Sequence, residues 1–233
     1  MRAIVFDYFG TLSHPAGEGE RRAMVTATAA ALGIAAEPFW AAMSGSFRER
    51  ITGAYGDTRS TLAEMARRCG LAPSDAQLDA AVQVQLSGAR HVQRPRPGAL
   101  HTLSTFRERG YRLAMISDCS SELVELWPRS SFAPLIEAPV FSWREQRRKP
   151  APELYAAATT RLGVDASECW YVGDGGGREL RGAHDAGMRP VLVTNAAHPE
   201  AAQHRADPDD HRPEHTVDDL PELLDLCGAP RTT

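Results

Sequence analysis

The sequence predicts an α/β protein with a Rossmann-like three-layer core, a mainly parallel sheet and an inserted all-helical cap domain. Short apolar runs alternate with segments of helical periodicity along most of the chain, an order typical of a parallel sheet covered by helices. The runs are continuously apolar, as expected for strands that are buried on both faces. One long segment near the N-terminus has helical periodicity but contains no such run, which indicates the inserted helices.

Strands are predicted from apolar runs that end at a polar residue or a glycine: Ala3–Phe6, Leu113–Ile116, Trp170–Val172 and Val191–Val193. Asp7, Ser117 and Asp174 follow the first three of these runs by one or two positions. In an open parallel sheet, ligands bind outside the carboxyl ends of the strands. We therefore expect these three side chains to lie together at one edge of the sheet.

Helices of the core are predicted over Gly98–Arg109, Pro152–Leu162 and Arg178–Ala186, and inserted helices over Glu20–Leu32, Glu37–Ile51, Thr58–Cys69 and Asp75–Ala89. We expect residues 1–13 and 93–233 to form the core and residues 14–92 to form the cap. The segment Val92–Gly98 is the expected return connection, because its prolines stiffen it. Both ends of the cap then join the core near Asp7, so the cap is expected to cover the site.

The composition favours a packed globular protein, since 42% of the 233 residues are hydrophobic. The net charge of −4 provides no general basic field for nucleic acid. The longest apolar run, Ala27–Ala36, is far shorter than the roughly 20 residues of a membrane helix, and no secretory signal pattern is visible. The four cysteines form no C-x-x-C pair. We expect a cytoplasmic monomer or homodimer that acts on a small molecule and binds neither nucleic acid nor membrane.

Four short motifs occur in order, each at a predicted strand end or helix start. They are Asp7-Tyr8-Phe9-Gly10-Thr11-Leu12, then Ile116-Ser117-Asp118, then Arg148-Lys149-Pro150-Ala151-Pro152-Glu153-Leu154-Tyr155, and finally Val172-Gly173-Asp174 followed by Glu179-Leu180-Arg181-Gly182-Ala183. In these motifs the chain resembles the haloacid dehalogenase (HAD) superfamily of hydrolases, in the branch with a helical C1-type cap. The resemblance extends over nearly the whole chain.

The resemblance implies that Asp7 is the catalytic nucleophile and that the Lys149 ammonium offsets negative charge beside it. It also implies a Mg²⁺ site formed by the carboxylates of Asp7 and Asp174 and by the backbone carbonyl of Phe9. Mg²⁺ prefers such oxygen ligands and can offset the charges of a carboxylate and a phosphate that must approach each other. Lys149 is the only lysine of the sequence, which makes its place in the third motif more informative.

The phosphoryl group is expected to contact Gly10, Thr11, Ser117, Asp118 and Lys149, with Ser117 donating its hydroxyl to a phosphoryl oxygen. Glu179 is expected either to orient water or Lys149 or to serve only as an acidic residue at a helix N-terminus. Arg50 and Tyr55 are the cap candidates for substrate contact. We expect surface charges at Arg144, Arg147 and Arg148, and a solvated loop around His198, His204, His211 and His215, whose spacing matches no standard zinc motif.

The first motif departs from the pattern of phosphatases in this superfamily at Phe9. Members that hydrolyse phosphate monoesters usually carry a second aspartate at this position, which protonates the leaving alkoxide. General acid-base help of this kind contributes typically about 10²–10⁴ in rate. The dehalogenase branch usually carries an aromatic residue there, because halide leaves without a proton. Against that branch, Gly173-Asp174 resembles the metal-binding form of the fourth motif.

Three hypotheses therefore remain. The first is a Mg²⁺-dependent phosphohydrolase that acts on a small phosphorylated metabolite through an aspartyl-phosphate at Asp7. The second is a hydrolytic 2-haloacid dehalogenase that uses the same nucleophile. The third is a catalytically degenerate HAD-fold protein that binds a ligand or a partner without turnover, as the phenylalanine at position 9 would permit.

Overall fold

The structure is a computed structural model that describes residues 1–199 and 207–228. Its strands are β1 Ala3–Phe6, β2 Arg112–Ser117, β3 Ala138–Phe141, β4 Cys169–Gly173, β5 Arg189–Val193 and β6 His215–Val217. The inserted helices are α1 Gly17–Leu32, α2 Ala36–Gly45, α3 Phe47–Ile51, α4 Thr58–Arg68 and α5 Asp75–Val92. The remaining helices are α6 Ala99–Glu108, α7 Ser121–Leu126, α8 Ser142–Glu145, α9 Pro152–Leu162, α10 Glu179–Asp185 and α11 Leu223–Cys227.

The strands form one parallel sheet in the order β3-β2-β1-β4-β5-β6. This is the Rossmann-like α/β fold that the sequence predicts. The strand order reverses between β1 and β4, and the crevice at such a reversal is where open α/β sheets bind ligands. Phe6 pairs with Met115 of β2 and with Val172 of β4, so the residues after all three strands meet at that point.

Both faces of the sheet are covered because the side chains of each strand alternate between them. Ile4 and Phe6 of β1 belong to one buried cluster, which includes Phe106 of α6. Ala3 and Val5 belong to a second cluster on the other face, formed largely with residues of α9 and α10. All four β1 residues are fully buried, which explains the uninterrupted apolar run in the sequence.

The five helices between residues 17 and 92, called the insert below, pack around an apolar core of their own. Phe39, Leu62 and Met65 are among its buried side chains. The two chain segments that connect the insert to the sheet run side by side, with an antiparallel bridge between Ser13 and Pro95. Both connections therefore leave the sheet just beyond the carboxyl end of β1.

The structure differs from the predicted elements in several places, and helices α7, α8 and α11 were not predicted. Strand β3 was not predicted, because Pro139 interrupts its apolar run; it is an edge strand, where a missing N–H is tolerated. His215 lies in the short edge strand β6 rather than in a loop, and His204 lies outside the described residues. The helix predicted over Glu37–Ile51 is broken at Ser46, whose hydroxyl donates to the carbonyl of Ala42 at 2.7 Å, a contact that bends helices.

Among the described residues, no single helix has the length and apolar character to cross a membrane. The segments Glu20–Leu32 and Ala36–Gly45 meet that criterion only as a pair, with a bend of 119° between them.

Gly182 of α10 provides a test of how closely the helices pack against each other. A Cβ atom at this position would overlap the Tyr155 hydroxyl and lie 2.8 Å from Pro150 Cβ. We expect Gly182→Ala to lower the free energy of unfolding by about 1–3 kcal/mol through overpacking. The measurement is urea denaturation followed by circular dichroism.

The matched control is Gly45→Ala, because a Cβ at the end of α2 meets no atom within 4 Å. Its free energy of unfolding should stay unchanged or rise by up to about 1 kcal/mol, since alanine loses less backbone entropy on folding. Equal effects of the two substitutions would contradict the packing described for α10.

Candidate active site

The loop that follows β1 carries Asp7 into the crevice beside β4. The backbone N–H of Asp7 donates to the carbonyl of Val172 at 2.8 Å, which extends the β1–β4 ladder by one residue. Gly10 then turns the chain with a φ of +78°, and a Cβ atom there would lie 2.7 Å from the Asp174 carboxylate. Glycine at this position therefore supplies both the left-handed backbone and the room for the loop to approach Asp174.

A buried arginine from the return connection holds this loop in place. Arg96 donates from Nη1 to the carbonyl of Thr11 at 3.2 Å and to Asn195 Oδ1 at 2.9 Å, and its other terminal nitrogen pairs with Asp219 at 2.9 Å. Asn195 in turn donates to the carbonyl of Gly10 at 2.9 Å. Arg96 and Asn195 are not predicted from the sequence, because neither belongs to a motif that suggests such contacts.

Lys149 places its ammonium between two buried carboxylates. Nζ lies 2.5 Å from Asp7 Oδ1 and 2.5 Å from Glu179 Oε2, while the backbone N–H of Lys149 donates to Asp118 Oδ1 at 3.0 Å. Burial favours the neutral amine, but the nearby Asp7, Glu179 and Asp118 carboxylates outweigh it and hold the pKa of Lys149 well above its usual value. The site therefore contains a fixed positive charge next to Asp7.

Glu179, the first residue of α10, is completely buried behind Lys149. Its Oε1 accepts a hydrogen bond from the Gly175 N–H at 2.9 Å, and its Oε2 accepts one from the Tyr171 hydroxyl at 3.0 Å. Burial and the nearby Asp7 charge raise the pKa of Glu179 well above its usual value, although Lys149 opposes the rise. A Cβ at Gly173 would overlap this carboxylate, so the glycine before Asp174 leaves room for Glu179.

The carboxylates of Asp7, Asp174 and Glu179 form a compact group that fits a divalent cation. One oxygen from each lies within 4.8 Å of the others, and all three residues are buried. When all three are ionised, they and the Lys149 ammonium have a formal charge of −2, which a divalent cation would balance. Asp7 Oδ2 is buried and accepts no hydrogen bond from the described residues. An oxygen-only ligand set of this kind suits Mg²⁺.

Two hydroxyls expected to bind a phosphoryl group are also buried without a hydrogen bond within the described structure. They are Thr11 Oγ1 and Ser117 Oγ, and neither residue lines the cavity described below. A buried hydroxyl without a partner costs roughly 1–3 kcal/mol, so both favour an acceptor supplied from outside the chain. Gly10 and Asp118 do line the cavity.

A cavity of about 430 Å³ lies between the insert and the carboxyl end of the sheet. Asp7, Lys149 and Asp174 form part of its floor on the sheet side, and residues of α1, α2, α3 and α5 form the insert side. A volume of this size is at the lower end of the range for small-molecule sites. The phenyl ring of Phe9 lines the cavity as well.

A buried polar network crosses from the core to the insert beside this cavity. Glu122 of α7 accepts from Gln85 of α5 at 2.7 Å and from the Ser120 hydroxyl at 2.5 Å. Gln85 accepts from the Thr28 hydroxyl of α1 at 2.8 Å. Burial favours the neutral acid, but the Arg50 guanidinium and these two donors outweigh it and lower the pKa of Glu122. A charged carboxylate therefore lies at the junction of insert and core.

Arg50 and Tyr55, the two cap candidates, occupy different environments. Arg50 lines the cavity, and its guanidinium donates to the Met43 carbonyl at 3.0 Å and to the Ser120 hydroxyl at 3.4 Å. Tyr55 does not line the cavity, and its hydroxyl accepts from Arg68 at 2.7 Å on the insert surface. The structure thus brings Arg50 to the candidate site and leaves Tyr55 outside it.

The arginines that precede Lys149 in the sequence also occupy different environments. Arg144 and Arg147 are exposed, as expected, whereas Arg148 is half-buried, lines the cavity and lies 3.6 Å from Asp207. The sequence does not predict Arg148, Glu122 and Gln85 as cavity residues. No local pattern distinguishes them from ordinary surface positions, because the packing of the insert on the core brings them to the cavity.

Comparison with known proteins identifies relatives over most of the chain. A family model described as haloacid dehalogenase-like hydrolase matches residues 1–187. A glyceraldehyde 3-phosphate phosphatase from Methanopyrus kandleri is 30% identical over 163 residues, which cover 69% of this chain and 68% of that protein. Proteins of the same name from Pyrococcus abyssi and Methanocaldococcus jannaschii are 35% and 26% identical, over 41% and 57% of this chain and 40% and 56% of their own lengths.

Among solved structures with similar folds, some are named as phosphatases and others as dehalogenases. An HAD phosphatase from Thermococcus onnurineus superimposes with a TM-score of 0.70 at 20% identity and covers 100% of both chains. A 2-haloacid dehalogenase from Pseudomonas syringae superimposes with a TM-score of 0.69 at 25% identity and covers 98% of this chain and 100% of that one.

Replacing the lysine of the site should destabilise the protein. In Lys149→Met, Asp7 and Glu179 remain buried without a counter-charge, so we expect the free energy of unfolding to fall by about 3–5 kcal/mol, measured by urea denaturation without divalent cations. The loss should be larger at about pH 8 than at about pH 5. Burial raises the pKa of Glu179 in the folded protein. A higher pH favours the ionised form of this carboxyl, and in the variant no buried cation balances its charge, so the folded state becomes less stable as the pH rises.

Arg147→Met is the matched control, since Arg147 is exposed and its nearest carboxylate oxygen, on Glu153, is 3.9 Å away. This substitution should change the free energy of unfolding by no more than about 0.5 kcal/mol. A loss in Lys149→Met that is as small as in this control would exclude a buried ion cluster.

Binding of Mg²⁺ should be detectable by stability alone. At a Mg²⁺ concentration of about 100 times its Kd, the cation should stabilise the protein by about 2.7 kcal/mol and raise its melting temperature. We expect Asp174→Asn to remove most of this shift, because the amide retains the shape of the side chain but not its charge. Asp185→Asn, on the exposed side of α10, should preserve the shift. Equal shifts in the two variants would exclude Asp174 as a ligand.

Proposed function

Because this chain belongs to the haloacid dehalogenase-like hydrolases, we propose that it is a Mg²⁺-dependent phosphohydrolase of a small phosphorylated metabolite that reacts through an aspartyl-phosphate at Asp7. The observation that carries the proposal is the state of the Asp7 carboxylate. It lines the cavity, Lys149 holds one of its oxygens, and the other accepts no hydrogen bond within the described structure. A carboxylate with one oriented and one uncommitted oxygen is suited to attack phosphorus.

Each nearby group has a role in this proposal. Asp7 attacks the phosphorus atom, and the Lys149 ammonium lies against the attacking carboxylate and the transferring phosphoryl group, whose negative charges it offsets. The hydroxyls of Thr11 and Ser117 lie buried behind the cavity wall without hydrogen bonds within the described structure, and their donation to phosphoryl oxygens remains a prediction. Gly10 and Asp118 line the floor on which the phosphoryl group would lie. Glu179 keeps the Lys149 ammonium in position.

Mg²⁺ is part of the proposal because the site offers the oxygen ligands that this cation prefers. When held by Asp7, Asp174 and the Phe9 carbonyl, Mg²⁺ would offset the charge between the nucleophile and a phosphate dianion. A side chain at residue 10 would crowd the Asp174 carboxylate, since a Cβ there would lie 2.7 Å from its Oδ2. The phosphatase names of several relatives support this assignment.

The insert acts as a cap in this proposal, and its residues select the substrate. The 430 Å³ cavity accommodates a metabolite rather than a polymer, and Arg50 offers a positive charge for an anionic part of that substrate. A cytoplasmic location is supported by the four free cysteines, all of them within the described part of the chain. That the protein is a monomer or homodimer without nucleic-acid or membrane partners remains a prediction.

Hydrolytic dehalogenation of a 2-haloacid is the second candidate. It is favoured by the phenylalanine at position 9 and by the similarity to a 2-haloacid dehalogenase of known structure. The cluster of three carboxylates formed by Asp7, Asp174 and Glu179 favours the phosphohydrolase instead, because it suits a divalent cation. Displacement of a halide involves no phosphate charge for such a cation to offset. Ligand binding without turnover is the outcome to be accepted if neither activity is found.

A release assay distinguishes these candidates. Purified protein is incubated with phosphorylated metabolites and with 2-chloropropionate, with and without Mg²⁺, and phosphate and chloride are measured in parallel. We expect phosphate release that requires Mg²⁺ and is lost in Asp7→Asn, because the amide is a poor nucleophile. Full activity in Asp7→Asn would refute the aspartyl-phosphate, and chloride release without Mg²⁺ would favour the dehalogenase. Circular dichroism of the variant verifies that its fold is intact.

A further inference from the structure

The position two residues after Asp7 lacks a proton donor. Phe9 lines the cavity beside Asp7, and its hydrocarbon ring packs edge-on against Tyr8 at 5.1 Å. The hydroxyl of Tyr8 points elsewhere, donating to the carbonyl of Gln93 at 3.0 Å. A leaving group that departs from phosphorus next to Phe9 therefore receives no proton from this loop.

Three other ionisable groups on the cavity wall already have hydrogen-bond partners within the protein. Asp118 accepts the Lys149 backbone N–H, and Glu122 accepts from Gln85 and Ser120. His14 accepts the Ala16 N–H at Nδ1, and burial, together with the Arg94 charge, lowers its pKa, so its ring is neutral near pH 7. A neutral imidazole is a very weak acid.

An arginine of the insert covers the Phe9 ring. The guanidinium carbon of Arg21, on α1, lies 4.5 Å from the ring centroid, and Arg21 lines the same cavity as Asp7. Attraction between the guanidinium and the aromatic face favours this position of the Arg21 side chain over Phe9. Its charge is permanent, so it stabilises an anion by attraction and hydrogen bonding without giving up a proton.

Arg21 and Arg50 place two guanidinium groups on the insert side of the cavity. Burial lowers the pKa of Arg50, the nearby charge of Arg21 acts in the same direction, and the Glu122 and Glu49 carboxylates oppose the shift. The part of a substrate that lies beyond its phosphoryl group, on the insert side, therefore meets groups suited to a negative charge.

From this arrangement we infer that Arg21 binds the leaving group and that the substrates are anhydrides of phosphoric acid, which release a weakly basic oxyanion. Acyl phosphates, which release a carboxylate, and phosphoanhydrides, which release a phosphate, share this chemistry. Simple alkyl phosphates release a strongly basic alkoxide and do not fit. The inference rests on the phosphohydrolase function proposed above and defines its substrate class.

The two chemical steps, transfer of the phosphoryl group to Asp7 and hydrolysis of the aspartyl-phosphate, conserve atoms and charge without an acidic side chain that donates a proton. In the first, a carboxylate oxygen of Asp7 forms a bond to phosphorus, the bond to the leaving oxygen breaks, and its electron pair stays on that oxygen as the anion that Arg21 binds. In the second, water attacks phosphorus and the bond to Asp7 breaks, returning the electron pair to its carboxylate. Both protons of the water remain on the phosphate, which leaves as dihydrogen phosphate.

The test compares acetyl phosphate with ethyl phosphate, which have nearly the same size but release acetate or ethoxide. We expect wild-type protein with Mg²⁺ to hydrolyse acetyl phosphate and to show little activity on ethyl phosphate. Phe9→Asp should raise kcat/KM for ethyl phosphate by about 10²-fold or more, because it adds the missing acid. Pyrophosphate is assayed in parallel as a phosphoanhydride. A preference for acetyl phosphate indicates acyl phosphates as substrates, and a preference for pyrophosphate indicates phosphoanhydrides.

Arg21 is tested with a matched neighbour. Arg21→Gln should lower kcat/KM for the preferred anhydride by about 10- to 100-fold, the usual effect of losing a charged hydrogen bond. Arg22→Gln should change it less than about twofold, since Arg22 is exposed and pairs with Glu37 outside the cavity. Arg21→Lys retains the charge and should recover part of the loss. Melting temperatures of the variants verify their folding.

Failure of this inference can be separated from failure of the proposed function. If the wild type hydrolyses ethyl phosphate as readily as acetyl phosphate, or if Arg21→Gln behaves like Arg22→Gln, the anhydride class and the role of Arg21 are wrong while the phosphohydrolase stands. If no substrate gives phosphate release that disappears in Asp7→Asn, both the function and the inference are overturned.

Discussion

The Lys149 ammonium, placed between the carboxylates of Asp7 and Glu179, is the interaction on which the arrangement of the site depends. It joins three segments that are far apart in the sequence: the loop after β1, the segment before α9 and the first residue of α10. A buried charge without a partner is strongly destabilising, so each segment must adopt its position for the others to be tolerated. The shape of the site is thus determined by electrostatics as well as by packing.

A second constraint acts where the insert meets the core. Apolar packing alone is non-directional and would permit a range of orientations between the two. The contacts of Glu122 with Gln85 and of Ser142 with the Ile51 carbonyl, at 2.7 and 2.6 Å, are directional and buried. They favour one placement of the insert over the sheet edge and thereby define the cavity in which Arg21 and Arg50 lie opposite Asp7.

The sequence predicts the strand ends well because the physics there is local. A strand buried on both faces must be continuously apolar, so the ends of such strands, and with them Asp7, Ser117 and Asp174, can be located from the sequence. Cavity residues of the insert cannot be recognised in this way. Arg21 and Arg22 are adjacent and chemically identical, yet one covers the Phe9 ring and the other lies on the surface, a difference that only the packing of α1 determines.

That Lys149 is the only lysine and is nearly inaccessible has a consequence for how this protein reacts with its chemical surroundings. Reagents that acylate amines find, in the folded molecule, no lysine on the surface, since the Lys149 side chain is 4% exposed. Apart from the amino terminus, modification therefore requires that the ion cluster open first. The rate at which an acylating reagent is incorporated at this one position reports the population of opened molecules, so the native chain contains its own single-site probe of local unfolding.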